Sequence, residues 1–278
     1  MIHSICKYLY FLSSELIKDM IFKLKKSSYV FSPVFIIGCG RSGTTILGDS
    51  LSQHPEIKYL NERRDLWHKS YPEFDIWNKD AQGSKLYADE KDIEVSKNSI
   101  LKHLLFREQV LSESKVLVEK LPVNSFRLNF LKSTFPNARY IYLTRNGLEV
   151  SRSIEEAIDS GNWFRRHDIL KSHAIDSDKN RGIWEWKLSI QHSDSFFKQE
   201  NGDSFIHFSY KDFMDNPSKI IQDMFSFLDL DYSESLVDQI CKNIKRANPE
   251  IKKATDEDLY LIGGEILKET IENNYSPS

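Results

Sequence analysis

Three cysteines in 278 residues, at positions 6, 39 and 241, are too few and too widely spaced for a disulfide framework, and no C-x-x-C pair occurs. That usage fits a reducing, cytoplasmic compartment. Eleven glycines and eight prolines are spread along the chain without forming a linker, so one sizeable domain is expected. The eight histidines fall in no H-E-x-x-H or paired ligand spacing, which leaves no readable metal site. An excess of positive charge is also missing. A formal net charge of −3 excludes bulk attraction to nucleic acid, so any anion must be met by local cations.

Long hydrophobic runs are absent near the start as well. Tyr8 to Leu12 is soon followed by Glu15, Lys18 and Asp19, far short of the roughly 20 apolar residues that span a bilayer. Leu9, Leu12, Leu16 and Met20 recur at helical spacing, and Lys23, Lys25 and Lys26 follow. Residues 1–30 are therefore read as an amphipathic helical extension ahead of a domain at 31–278. Two roles stay open for it: peripheral contact with an anionic membrane surface, or docking on the body of its own protein.

What the chain does contain is Gly38-Cys39-Gly40-Arg41-Ser42-Gly43-Thr44-Thr45, preceded by the apolar run Val34 to Ile37 and followed by a helical pattern from Ile46 to Gln53. Strand, glycine-rich turn and helix in this order cradle an anion with backbone N–H groups. The glycine spacing is that of a nucleotide P-loop, yet Thr44 stands where its phosphate-binding lysine belongs and a cation has moved upstream to Arg41. A second apolar run, Tyr140 to Leu143, leads to Arg145 and then to Ser153 two helical turns later. An arginine at a strand's carboxyl end with a serine beyond it is suited to a second phosphate.

These residues resemble the sulfotransferases that use 3′-phosphoadenosine 5′-phosphosulfate (PAPS), most closely the tyrosylprotein and bacterial-type branch. Arg41 to Thr45 is similar to that family's 5′-phosphosulfate loop, and Arg145 with Ser153 to its 3′-phosphate site. The likeness extends to His54-Pro55, Glu62, Lys120-Leu121-Pro122, Phe135 to Arg139, Tyr210, Lys245 and Asn248. It implies a PAPS-dependent enzyme that needs no metal. Ser42, Gly43, Thr44 and Thr45 would bind the 5′-phosphosulfate, Arg145 and Ser153 the 3′-phosphate, Tyr210 the adenine, and Lys245 the cofactor's charge. Glu62 is implied as the base that accepts the acceptor's proton, with Arg41 and Lys120 stabilising the leaving phosphate. Histidine, the base just before Leu-Pro in the cytosolic branch, is replaced here by Lys120.

Strands are expected near 34–38, 116–119, 140–144 and 205–209, with helical patterns between them. The expected fold is therefore α/β, a P-loop-like parallel sheet with helices on both faces. The charged stretches at about 74–95 and 160–181, with Trp77, Trp163, Phe164, Arg165 and Arg166, are expected loops that either choose the acceptor or lie on the solvated surface. Trp184 and Trp186 are expected core anchors. The acceptor is expected to be a hydroxyl of a carbohydrate or glycolipid; a peptide tyrosine is the alternative. From other classes, a P-loop kinase and a non-catalytic nucleotide-binding protein remain as competitors.

Overall fold

The computed structural model describes residues 2–77, 84–161, 163, 181–200 and 202–244, with side chains from Ser14 onward. Five strands form one parallel sheet: β1 (Val34–Ile37), β2 (Ile57–Asn61), β3 (Val116–Lys120), β4 (Arg139–Thr144) and β5 (Phe205–Ser209). Their order across the sheet is β2-β3-β1-β4-β5. β1 is therefore central, paired with β3 on one side and β4 on the other, in the registers Ile36 to Lys120 and Ile37 to Tyr142.

Period-two alternation along these strands fills two layers. Phe35, Ile37, Leu117, Tyr140 and Tyr142 pack on one face, beneath α3 (Arg64–Ser70), α4 (Val95–Leu111), α5 (Leu128–Thr134), α6 (Gly147–Asp159) and α7 (Arg181–Phe197). Val34, Ile36, Val118, Ile141 and Leu143 pack on the other, beneath α2 (Thr44–Leu51), α9 (Pro217–Phe227) and α10 (Glu234–Asn243), with α8 (Tyr210–Asp215) following β5. Helices thus cover both faces, as the alternation of patterns implied. Because all strands run the same way, the residues that follow β1, β2, β3 and β4 meet at one edge.

One strand was not expected. β2 carries Lys58 and Asn61 within a five-residue run at the sheet's edge, where a half-buried strand needs no continuous apolar stretch. The helix after the glycine loop starts earlier than its apolar pattern, at Thr44 rather than Ile46. His54 is buried beyond α2, its Nδ1 accepting from the Glu56 N–H at 3.2 Å and its Nε2 lying 2.9 Å from the Asp231 carbonyl oxygen. Trp186 is a fully buried anchor on α7, whereas Trp184 is only partly buried.

α1 (Ile2–Lys25) docks on α4 through its charged side. Arg107, on α4, donates to Glu15 and to Asp19 at 2.7 Å each, and buried Phe22 packs edge-on to His103 and Phe106. The outward side is apolar, with Leu16, Met20 and Leu24 at 70%, 56% and 73% exposure. No helix among the described residues is long and apolar enough to cross a membrane.

Candidate active site

Residues 38–43 turn the chain from β1 into α2, and two of them have left-handed backbones, Arg41 at φ 68° and Gly43 at φ 95°. At Gly43 a Cβ would fall 2.5 Å from Cδ2 of Tyr210, so glycine is required by space as well as by torsion. The first N–H groups of α2 have no carbonyl partners within the helix, and its first residues, Thr44, Thr45 and Ile46, line the adjoining cleft. Ser42 is buried, its N–H donates to the Cys39 carbonyl at 3.1 Å, and its Oγ has no hydrogen-bond partner. Burial pushes the Cys39 thiol well above its ordinary pKa, so it is a small residue that fits the turn rather than a reactive one.

A second cation reaches the loop from the neighbouring strand. Lys120, at the end of β3 and 1% exposed, donates from Nζ to Thr45 Oγ1 at 3.0 Å and to Glu62 Oε1 at 2.6 Å. Glu62 follows β2, its N–H bonded to the Lys120 carbonyl at 2.9 Å, and adopts φ 50° as the chain turns toward α3. A non-glycine residue held in this region stores about 1–3 kcal/mol of strain, the kind found where a side chain must be aimed.

On the other side of β1, Arg145 leaves β4 with its guanidinium 4.2 Å above the Tyr210 ring. Its Nη1 donates to the Arg41 carbonyl at 3.1 Å and its Nε to Glu149 at 2.8 Å. Trp186 fixes the backbone by donating to the Arg145 carbonyl at 2.9 Å. Arg41 reaches across to α6, where its Nε donates to Ser153 Oγ at 3.0 Å. The glycine loop and the Arg145–Ser153 pair are thereby stitched into one surface.

A cleft of about 260 Å³ joins these groups, lined among others by Arg41, Thr45, Glu62, Lys120, Arg145 and Ser153. Gly43 and Thr44 line it too, whereas Ser42 and Tyr210 sit behind the loop. Trp163, from the expected acceptor segment, closes one wall against Gly40 and donates to the buried Glu185 at 3.0 Å. Lys245, Phe164, Arg165, Arg166 and Asn248 lie outside the described residues.

One residue of the site's support escaped sequence reasoning. Glu119 is completely buried beside Lys120 on β3 but on the opposite face; Trp67 Nε1 of α3 donates to it at 3.1 Å and Asn124 Nδ2 at 2.7 Å. It ties α3, which follows Glu62, to the 3₁₀ turn Pro122–Phe126, whose first residue lines the cleft. Burial pushes its carboxyl up to about 7. The only visible signal was a carboxylate inside an otherwise apolar strand.

These residues suit a doubly phosphorylated nucleotide. A glycine cradle backed by Tyr210 and three cations in one cleft, Arg41, Lys120 and Arg145, match an anion at each end. No group of three or more His, Cys, Asp or Glu residues that could hold a metal occurs among the described residues.

A sulfotransferase family model matches residues 33–234, which include every described site residue, and the chain belongs to that family. It is 22% identical over 249 residues to protein-tyrosine sulfotransferase A of Caenorhabditis elegans, covering 82% of this chain and 60% of that protein. An uncharacterized protein of Aquifex aeolicus is 23% identical, with 74% of this chain and 26% of that one aligned. The chain thus spans less than two thirds of the length of either relative. In fold it is similar to sulfotransferase STF9 from Mycobacterium avium, with TM-score 0.60, 15% identity and coverage of 95% and 81%. The sulfotransferase domain from the curacin biosynthetic pathway gives TM-score 0.51 at 21% identity, with 75% and 77% covered.

Proposed function

We propose that the protein moves the sulfuryl group of PAPS to an acceptor hydroxyl, with Glu62 as the base. The observation that carries this reading is Lys120 Nζ held between Thr45 Oγ1 and Glu62 Oε1 at the mouth of the anion loop. PAPS would supply an activated sulfuryl group on its 5′-phosphate. Thr44, Thr45 and the start of α2 bind the phosphosulfate end; Arg145 and Ser153 bind the 3′-phosphate. As the acceptor oxygen bonds to sulfur and the bond from sulfur to the phosphate oxygen breaks, Glu62 takes the hydroxyl proton. Arg41 and Lys120 face the negative charge that gathers on the departing phosphate and the sulfuryl oxygens. Ser42, buried behind the loop, fixes its shape, and Tyr210 supports both Gly43 and Arg145. A kinase would need a lysine at position 44 and a magnesium-holding carboxylate, and the site has Thr44 and Arg145 instead.

The acceptor we favour is a carbohydrate or glycolipid. α1 supports placing the enzyme at the cytoplasmic surface of a membrane, because Leu16, Met20 and Leu24 face outward beside Lys23 and Lys26. Peptide tyrosine remains a second reading, favoured by the likeness to the Caenorhabditis elegans enzyme. Calorimetric titration with adenosine 3′,5′-bisphosphate in EDTA, beside ATP, tests the donor site. Metal-free binding much tighter than that of ATP, lost in Arg145→Ala, is expected; magnesium-dependent ATP binding with no response to the bisphosphate would sink the proposal.

A further inference from the structure

A second cleft, of about 310 Å³, opens on the flank of the domain between the 3₁₀ turn Pro122–Phe126, residues 87–92 and the later half of α7. None of its lining residues lines the cofactor cleft. Three aromatic rings form its wall: Tyr87 lies 4.5 Å from His192 and 5.2 Å edge-on from Phe126, and Phe126 is 5.8 Å from His192. Its polar lining includes Asp89, Asn129 and Ser195.

Two features define what would fit. Tyr87, His192 and Asn129 make no side-chain hydrogen bond to another described residue, so they retain unused donors and acceptors next to the aromatic wall. The lining also contains no lysine or arginine. Burial raises the Tyr87 hydroxyl to about 12 and lowers the pKa of His192, so both are neutral at pH 7. A site with neutral aromatics and one or two carboxylates repels sulfate and phosphate. It favours a ligand with an apolar face and a rim of hydroxyls.

We infer that the Tyr87–Phe126–His192 cleft binds a neutral sugar ring of the acceptor, remote from the hydroxyl that is sulfated. The inference rests on the carbohydrate reading of the function and deepens it. The turn that follows β3 links the two sites, since Pro122 lines the cofactor cleft and Phe126 the flank cleft. At roughly 2 Å per residue of 3₁₀ helix, they stand about 8 Å apart along the turn. An acceptor engaging both must therefore be an oligosaccharide or a glycoconjugate, and a single monosaccharide is too short.

Saturation-transfer NMR on the full chain tests this with methyl β-glucoside, methyl β-galactoside, maltose, lactose and chitobiose, each with and without saturating adenosine 3′,5′-bisphosphate. Expected is saturation of the C–H protons of at least one sugar, unchanged by the bisphosphate, lowered at least fivefold by Tyr87→Ala and at least twofold by Asn129→Ala. Bisphosphate affinity should stay within twofold of wild type in both variants, which reports an intact fold. If Tyr87→Ala unfolds, the surface variant Asn129→Ala decides alone. Silence from all five sugars, signals that survive the substitutions, or displacement by the bisphosphate would each overturn the inference. Failure of the wild type to bind the bisphosphate would instead remove the sulfotransferase reading, a separate outcome.

Discussion

Lys120 and Glu62 form an ion pair at 2.6 Å whose two ends differ sharply in environment, the lysine 1% exposed and the carboxylate 40%. The lysine is fixed by the strand and by Thr45, while Glu62, a residue of the cleft lining, has no hydrogen bond at Oε2 to another described residue. A pair built this way gives one carboxylate oxygen a fixed position and leaves the other for a proton. Glu62→Gln keeps the shape and removes the base. Turnover of PAPS, read as release of the bisphosphate, should fall by about 10²–10⁴-fold while bisphosphate affinity changes by less than about threefold. Equal turnover in Glu62→Gln would rule out Glu62 as the base.

The Arg41 to Ser153 bond makes a different prediction, about recognition rather than rate. In the proposed reading Ser153 and Arg145 hold the 3′-phosphate, and Arg41 positions them, its Nε donating to Ser153 Oγ and its carbonyl accepting from Arg145. Charge-assisted hydrogen bonds are commonly worth about 1.5–3 kcal/mol, roughly 10- to 150-fold in affinity. Arg145→Ala should weaken the 3′,5′-bisphosphate by that factor and leave AMP, which lacks the 3′-phosphate, nearly unaffected. Ser153→Ala should do the same with a smaller factor. Comparable losses for both nucleotides in calorimetry would argue against a separate 3′-phosphate subsite.

The glycine loop gives the sharpest steric forecast. A methyl group at position 43 meets Tyr210 at 2.5 Å and imposes φ 95° on a residue with a Cβ. Gly43→Ala should lose bisphosphate affinity by tenfold or more and lower stability by about 1–3 kcal/mol, in line with the cost of sparsely populated torsions. Trimming Tyr210 to Ala alongside it relieves the clash but not the torsion, so denaturant titration should find the double variant destabilised by less than the sum of the two single losses, with the torsional part of the Gly43→Ala loss remaining.

Much of this site was legible because it depends on local patterns. The apolar run ending in glycines announces β1, the loop and α2 together, and Arg145 stands at the end of another apolar run. Parallel pairing then forces such strand ends to one edge. What stayed hidden depends on contacts distant in sequence. Nothing local tells that Lys120 reaches Thr45 beside the glycine loop, because this follows from β3 pairing with β1 in the register Ile36 to Lys120. β2 was missed for want of a continuous apolar run, and with it the reason Glu62 emerges beside Lys120. That Glu15 and Asp19 of α1 face inward while Leu16, Met20 and Leu24 face outward needed the partner Arg107 to become visible.

Glu119 yields a prediction in pH. Its carboxyl is raised from 4.5 to about 7 because burial disfavours the charged form more than Trp67, Lys120 and Asn124 favour it. The native state therefore holds a proton at this position that the unfolded chain has already released above about pH 4.5. Stability attributable to Glu119 is present below that pH and is lost as pH rises through about 7, beyond which the loss is complete. A shift of that size corresponds to at most about 3–4 kcal/mol. Glu119→Gln cannot ionise, so the difference in unfolding free energy between variant and wild type should move in the variant's favour between pH 5 and 7.5 and then level off. A difference that stays flat across this range would mean that Glu119 titrates like an ordinary carboxylate, and that its two donors hold it ionised throughout.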